Sequence, residues 1–260
     1  MIFDPLQAVT GDDWLQTRQG RRLYLRQEKL ILDLVAPVAG ESVLDVGCGS
    51  GNTLRMFGRK KCLLTGMDPS AAALESARRN LGASCELVLG NAADIPFSDN
   101  EFDVVTLTGG LQGSANPQKA LAEAVRVSRN RVFVGFLNRY SSAGTEQAVR
   151  NFFGFPAASN LRFFSIGEMQ TLIHKTMSGA QIQWGSVMCL PGPAVALLSS
   201  LEDLFPMRNN PLGAFVGMVF SVNYTYRTVQ HPVLNSFKLK ARERAAAPEA
   251  VRDMLREGKP

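Results

Sequence analysis

The sequence predicts an α/β fold in which a doubly wound, seven-stranded sheet has helices on both faces. Along residues 42–137, short apolar runs alternate with stretches of helix-forming residues, as expected where crossover helices join parallel strands. The first apolar run ends in alternating glycines, Gly47, Gly49 and Gly51, which let the chain turn sharply from a buried strand into a helix. Two further apolar runs follow Tyr140 and complete the seven strands.

Each element of this fold has its own local signal. Strands are predicted at residues 42–46, 62–67, 85–89, 102–107, 131–137, 182–190 and 214–224. One or two helices are predicted within residues 11–35, and others from about residue 52, after 70, at 117–128, after 165 and at 248–258. Ser70 is a good N-cap before an alanine-rich stretch, and Ser165 with Glu168 forms a capping box.

The composition is that of a folded protein without a metal framework. Of the 260 residues, 45% are hydrophobic and 20% are charged, an ordinary mixture for a globular domain. The cysteines form no Cys-x-x-Cys pair, and His174 and His231 are the only histidines. These features argue against most zinc sites and disulfide scaffolds, so we expect no metal.

The charge distribution argues against a nucleic-acid partner. The net charge is +5, but residues 231–260 carry seven basic and four acidic side chains, so the rest of the chain is nearly neutral. Such a body is a poor electrostatic match for a duplex. The first residues lack the pattern of a secretory signal, and the longest apolar run, residues 212–220, is too short to cross a membrane. We therefore expect a cytoplasmic protein without a transmembrane segment.

Two acidic residues indicate what the glycine turn could hold. The glycine spacing departs from the dinucleotide pattern Gly-x-Gly-x-x-Gly, and Asp45, just before the glycines, would repel a pyrophosphate but suits a cationic amine. Asp68 ends the second predicted strand, where an acid can accept hydrogen bonds from ribose hydroxyls. An adenosine with a positively charged amino-acid tail fits this pattern, and S-adenosylmethionine is that molecule. In the alternative, both acids are turn and cap residues of another doubly wound protein.

The chain resembles the class I S-adenosylmethionine-dependent methyltransferases over roughly residues 12–190. The segment Val43–Gly51 is similar to the first motif of that family, Met67–Ser70 to its second-strand motif, and Gly90–Asp103 to the loop that closes over adenine. The resemblance implies a Rossmann-like methyltransferase sheet. It is strongest to the branch that includes quinone-ring and other small-molecule methyltransferases.

The resemblance also implies a set of cofactor contacts. They are Asp45, Gly47, Cys48, Gly49, Asn52, Asp68, Pro69, Asn91, Ala92, Thr106, Thr108 and Leu111. By this resemblance Asp45 lies near the methionine amine, Asp68 binds the ribose, and Asn91 contacts adenine. Two positions depart from the family: Asn91 stands where many members have Asp, and residues 109–112 stand where many have a pair of histidines. The sequence therefore names no catalytic base.

Together these inferences predict an enzyme that transfers a methyl group from S-adenosylmethionine to a small-molecule acceptor and releases S-adenosylhomocysteine. The tetrad of DNA and RNA amino-methylating enzymes is missing after the fourth strand, and we expect a largely apolar acceptor. Two alternatives remain: a non-catalytic cofactor-binding sensor or partner subunit, and an aminopropyl transferase on the same fold. The chain could also form a homodimer.

Three parts are predicted along the chain: a helical cap over the active site at residues 1–38, a cofactor-binding domain at 39–230 and a basic helical tail at 231–260. Aromatic candidates for the acceptor pocket are Trp14, Tyr24, Tyr140, Phe152, Phe153 and Phe163, and the polar candidates are Glu202 and Arg208. Alternatively, each aromatic side chain packs in the core without a role in binding, and each polar side chain lies on the surface.

Overall fold

The structure, a computed structural model, describes residues 18–141, 162–187 and 207–222. Several predictions concern residues outside these ranges. These predictions concern the first half of the helical cap and the basic tail with its helix at 248–258. They also include the pocket candidates Trp14, Phe152, Phe153 and Glu202. The division of the chain into a cap, a cofactor-binding domain and a tail stays a prediction.

Seven strands form one sheet, as the sequence predicts. They are β1 (Ser42–Val46), β2 (Leu63–Asp68), β3 (Cys85–Leu89), β4 (Phe102–Leu107), β5 (Ser128–Leu137), β6 (Ile182–Val187) and β7 (Phe215–Ser221). Their order across the sheet is β3-β2-β1-β4-β5-β7-β6. The first five strands pair in parallel, and β7 runs antiparallel to both of its neighbours. The chain therefore winds in opposite directions from the centre of the sheet, as in a doubly wound fold.

Helices cover both faces of this sheet. They are α1 (Arg18–Val35), α2 (Asn52–Gly58), α3 (Ala71–Leu81), α4 (Pro117–Val127) and α5 (Ile166–Thr176). One buried cluster joins Val43 to side chains of α1 and α2, and a second joins Leu44 to side chains of α4 and α5. Because successive strand residues point to opposite faces, these two clusters lie on opposite sides of the sheet. No helix among the described residues is long and apolar enough to cross a membrane.

The helix starts follow the local signals in the sequence. The Ser70 hydroxyl accepts a hydrogen bond from the Ala73 N–H at 3.3 Å, and Ser165 with Glu168 forms the predicted capping box. The junction between α4 and β5 differs from the prediction: α4 ends at Val127, and β5 begins at Ser128, three residues before its predicted start. The chain passes directly from helix to strand there, and the Ser128 hydroxyl donates to the Arg131 carbonyl at 2.9 Å.

Candidate functional site

A cavity of about 500 Å³ opens at the carboxyl ends of the parallel strands. It lies beside the turn that follows β1, whose neighbours β2 and β4 belong to the two halves of the sheet that wind in opposite directions. Ligands of doubly wound proteins bind at this kind of switch point. The cavity is lined by Tyr24, Gln27, Ile31, Gly47, Cys48, Gly49, Ser50, Asn52, Thr53, Met56, Ser70, Ala72, Ala73, Ser76, Thr108, Gly109, Gln112, Leu137 and Phe215.

The glycine turn, residues 47–51, uses its glycines for two different purposes. All three glycines have positive φ: +77° at Gly47, +54° at Gly49 and +83° at Gly51. A Cβ added to Gly47 would lie 2.6 Å from the Gly110 Cα, so this glycine lets two loops pack together. A Cβ added to Gly49 would meet nothing within 4 Å. Gly49 therefore leaves open the part of the cavity where a ligand could lie against the backbone.

Asp45 lies behind the cavity with one carboxylate oxygen uncompensated. Its Oδ1 accepts hydrogen bonds from the hydroxyls of Thr106 at 2.6 Å and Thr108 at 3.2 Å, and Thr108 lines the cavity. Its Oδ2 is buried without a hydrogen-bond partner. Burial raises the pKa of Asp45 to about 6, the two threonine hydroxyls oppose that increase, and the nearby Asp68 adds to it. A positively charged ligand group would compensate this carboxylate.

Asp68 connects the end of β2 to the glycine turn. Its Oδ2 accepts from the Gly49 N–H at 2.9 Å, and its Oδ1 accepts from the Ser70 N–H at 2.8 Å. Asp68 is buried, with 8% of its surface exposed. The same carboxylate that the sequence assigns to the ribose therefore also fixes the turn and the start of α3.

Helix α1 forms a further side of the cavity. Tyr24, Gln27 and Ile31 line it, at the i, i+3, i+7 spacing of one helical face. The Tyr24 hydroxyl donates to the Asn52 carbonyl at 3.2 Å, and Glu28 pairs with Arg59 of the α2–β2 turn at 2.7 Å. Both contacts fix α1 against the segment that follows the glycine turn.

The structure brings part of the predicted site together. Gly47, Cys48, Gly49, Asn52 and Thr108 line the cavity. Asp45 and Asp68 lie immediately behind it, through their hydrogen bonds to Thr108 and Gly49. The remaining predicted contacts, which do not line the cavity, are Pro69, Asn91, Ala92, Thr106 and Leu111.

Local contacts explain several of these placements. The Asn91 Oδ1 accepts from the Ala93 N–H at 2.9 Å, which closes a turn on the surface. Ala92 and Leu111 are buried in the core, with 8% and 0% of their surfaces exposed. Thr106 is fully buried and donates to Asp45. The cofactor contacts assigned to these residues stay predictions.

The sequence interpretation missed several residues that line the cavity. Ser76 belongs to α3, the helix that follows Asp68, so its short distance from Asp68 along the chain could have indicated that it lies near the site. Gln112, Leu137 and Phe215 come from three separate segments, and only the strand order places them together. Of the pocket candidates, Tyr24 lines the cavity, whereas Tyr140 is 65% exposed.

Comparison with known proteins identifies the domain. A family model described as "Methyltransferase domain" matches residues 44–134. A demethylmenaquinone methyltransferase of Renibacterium salmoninarum is 35% identical over 133 residues, which cover 49% of this chain and 53% of that protein. A ubiquinone/menaquinone biosynthesis C-methyltransferase of Roseobacter denitrificans is 34% identical over 109 residues, which cover 39% of this chain and 44% of that protein. The chain thus matches about half the length of these curated relatives or less.

A solved structure shows the same fold over a larger part of the chain. An S-adenosylmethionine-dependent methyltransferase of Thermotoga maritima superposes with a TM-score of 0.60 at 21% identity, covering 82% of this chain and 94% of that one. The family match includes the end of β1, the glycine turn and Asp68, the elements that build the cavity. Residues 44–134 therefore match a methyltransferase domain, and the solved structure shares the fold over most of the chain.

Proposed function

We propose that this chain binds S-adenosylmethionine in the cavity and transfers its methyl group to a small-molecule acceptor. The observation that carries the proposal is the buried Asp45 carboxylate, whose Oδ2 has no hydrogen-bond partner. Neither Asp45 nor Asp68 forms an ion pair with a basic side chain in the described part of the chain. This uncompensated negative charge favours a cationic ligand, and the methionine part of the cofactor carries an ammonium group.

The size and shape of the cavity support the same ligand. Its volume of about 500 Å³ lies within the range of small-molecule sites. The open space at Gly49 allows an adenosine to approach the backbone. Asp68 keeps lone pairs for ribose hydroxyls while it accepts from the Gly49 and Ser70 amides.

The residues of this chain act mainly by positioning. The cofactor supplies an electrophilic methyl group on a positively charged sulfur, which already contains the difficult part of the chemistry. The glycine turn and Asp68 fix the ligand on one side, and α1 covers the cavity and limits access of water. Correct alignment of two bound reactants contributes several kcal/mol, up to about 7–11 in ideal cases.

The acceptor is a small aromatic molecule of the quinone type. The curated relatives are named for methyl transfer to demethylmenaquinone and for C-methylation in ubiquinone and menaquinone biosynthesis. The apolar side chains Ile31, Leu137 and Phe215 line part of the cavity and would pack against a flat ring. A cytoplasmic location is consistent with this assignment, and a homodimer stays a prediction.

Binding of two ligands tests the role of Asp45. S-adenosylhomocysteine carries the ammonium, whereas 5′-methylthioadenosine lacks the amino-acid part. We expect Asp45→Asn to weaken S-adenosylhomocysteine about tenfold or more in calorimetry and to leave 5′-methylthioadenosine nearly unchanged, because only the first ligand carries the ammonium group that the negative charge behind Thr108 attracts. Equal effects on both ligands would contradict the proposed place of the ammonium.

The pH dependence follows from the raised pKa of Asp45, about 6. In the free protein, the stabilising contribution of this group is present below its ordinary pKa of 3.8 and is lost as the pH rises through about 6. The cationic ligand prefers the ionised form. The preference for S-adenosylhomocysteine over 5′-methylthioadenosine should therefore fall about tenfold between pH 7.5 and 5, and Asp45→Asn should remove this dependence.

Methyl transfer itself is tested with labelled cofactor and cell extract. We expect label in the organic-soluble fraction, with little change between about 50 and 200 mM salt, because a small apolar acceptor releases no counterions. Label mainly in nucleic acid, with strong salt sensitivity, would overturn the acceptor class. Tight cofactor binding without any transfer would favour the non-catalytic sensor instead.

A further inference from the structure

The cavity has two chemically different sides. On the side of β1 and β2 it is lined by small and hydroxyl-bearing residues of the glycine turn and the first turns of α3. On the side of β4, β5 and β7 it is lined by Gln112, Leu137 and Phe215, and Ile31 of α1 adds a further apolar side chain. Leu137 and Phe215 are direct partners in the β5–β7 ladder. If the cofactor takes the glycine-turn side, as in the proposed function, the second side remains for the acceptor.

Gln112 is a polar group of this second side. Only 4% of its surface is exposed, although it lines the cavity. Its Nε2 donates to the Arg162 carbonyl at 3.0 Å. Because only the NH₂ end of the amide can donate to a carbonyl, this bond fixes which end is nitrogen and which is oxygen. The Oε1 has no hydrogen-bond partner among the described residues.

We propose that Gln112 is an acceptor-binding residue that selects a hydroxyl-bearing aromatic ring. Its anchored amide offers an oxygen that can only accept a hydrogen bond, and a ring hydroxyl is the matching donor. Leu137 and Phe215, both nearly buried, provide apolar surface for the ring itself. A neutral amide does not take up a proton, so Gln112 orients the hydroxyl and is not the base.

The segment around Gln112 is also where this chain departs from the methyltransferases it resembles. Residues 109–112 replace the histidine pair of many members. Gly110 allows this segment to pack against the glycine turn, because a Cβ there would lie 2.7 Å from the Val46 carbonyl oxygen. The close packing brings Gln112 to the cavity that the glycine turn also lines.

The test compares two probes of similar size on the protein saturated with S-adenosylhomocysteine. 1-Naphthol carries a hydroxyl, and 1-methylnaphthalene carries a methyl in its place. We expect 1-naphthol to bind about five- to tenfold more tightly to the unaltered chain, as one neutral hydrogen bond allows. Gln112→Met, which keeps the length of the side chain but not its polar atoms, should abolish that preference. Fluorescence titration measures both binding constants without requiring turnover.

Two control variants decide the outcome. Gln27→Met removes the other glutamine that lines the cavity and should leave the preference for 1-naphthol intact. Gln112→Glu keeps accepting oxygens but, when ionised, loses the donor to the Arg162 carbonyl, so it should retain part of the preference, including where Gln112→Met lowers the affinity for S-adenosylhomocysteine. The proposal is overturned if Gln112→Met keeps the preference, if Gln27→Met loses it, or if the unaltered chain shows none. Failure of S-adenosylhomocysteine to bind at all would instead contradict the proposed function.

Discussion

The glycine turn and the β3–β4 loop, residues 90–101, lie at the same end of the sheet but are held in different ways. The glycine turn is fixed by its own backbone: the Gly47 and Cys48 amides both donate to the Met67 carbonyl, at 2.7 and 3.1 Å. The β3–β4 loop is fixed from α4, where Arg126 donates to the Ile95 carbonyl at 2.9 Å and to the Phe97 carbonyl at 2.8 Å.

This difference explains why only one of the two segments lines the cavity. The glycine turn lacks side chains at its tip and leaves space beside Gly49. Polar backbone groups of the β3–β4 loop form hydrogen bonds with side chains of α4. The Ile95 amide, for example, donates to Glu123 at 3.0 Å. The first segment is therefore built to receive a ligand in the structure as it stands, and the second is built to pack on α4.

The largest expected effect comes from filling the space at Gly49. Gly49→Val should reduce S-adenosylhomocysteine affinity by a factor of about 100 or more, because the new side chain takes the place of the ligand and is strained at φ +54°. Calorimetry measures the affinity, and thermal unfolding shows whether the variant is folded.

A matched control separates strain from occlusion. Gly40 also has a positive φ, +88°, and a Cβ there would also meet nothing within 4 Å, but Gly40 does not line the cavity. Gly40→Val should therefore lower the melting temperature to a similar extent and leave the ligand affinity unchanged. Equal affinities for the two variants would place the ligand elsewhere.

A smaller effect is expected at Asp68. Asp68→Ala should weaken S-adenosylhomocysteine at least tenfold, because the ribose hydroxyls lose charge-assisted hydrogen bonds worth about 1.5–3 kcal/mol each. It should also lower the melting temperature of the free protein, since the Gly49 and Ser70 amides lose their acceptor. An unchanged affinity would show that Asp68 does not bind the ligand. An unchanged melting temperature would show that its hydrogen bonds to the Gly49 and Ser70 amides contribute little to stability.

The sequence predicted the fold and the glycine side of the cavity because their signals are local. Apolar runs along the chain predicted all seven strands. Ser70 predicted the start of α3, because its side chain is a typical N-cap. The position of Asp68 was also predicted, but its bonds to two backbone amides were not. The bond to the Gly49 amide depends on the conformation of the glycine turn, where Gly49 has a positive φ, and residue types predict that conformation only in part.

The other side of the cavity could not be predicted in the same way. Gln112 and Phe215 are far apart along the chain, and they share the cavity because β7 inserts beside β5 in the sheet. The sequence predicted both β5 and β7, but it did not predict that they are neighbours in the sheet. Similarly, the Arg126 contacts cross about thirty residues of chain, from α4 to the β3–β4 loop, and no periodic pattern indicates such a pair.

The smallest effect on binding is expected at Arg126. Arg126→Met removes donors from the Ile95 and Phe97 carbonyls, so the free energy of unfolding should fall by about 1–3 kcal/mol. S-adenosylhomocysteine affinity should change less than about threefold, because no residue of the β3–β4 loop lines the cavity. Arg129→Met, which removes a half-exposed arginine bound to Asp103, should change both quantities less. A tenfold loss of affinity in Arg126→Met would instead indicate that the loop contacts the ligand, as the resemblance implies for Asn91. The glycine turn and the β3–β4 loop would then both bind the adenosine.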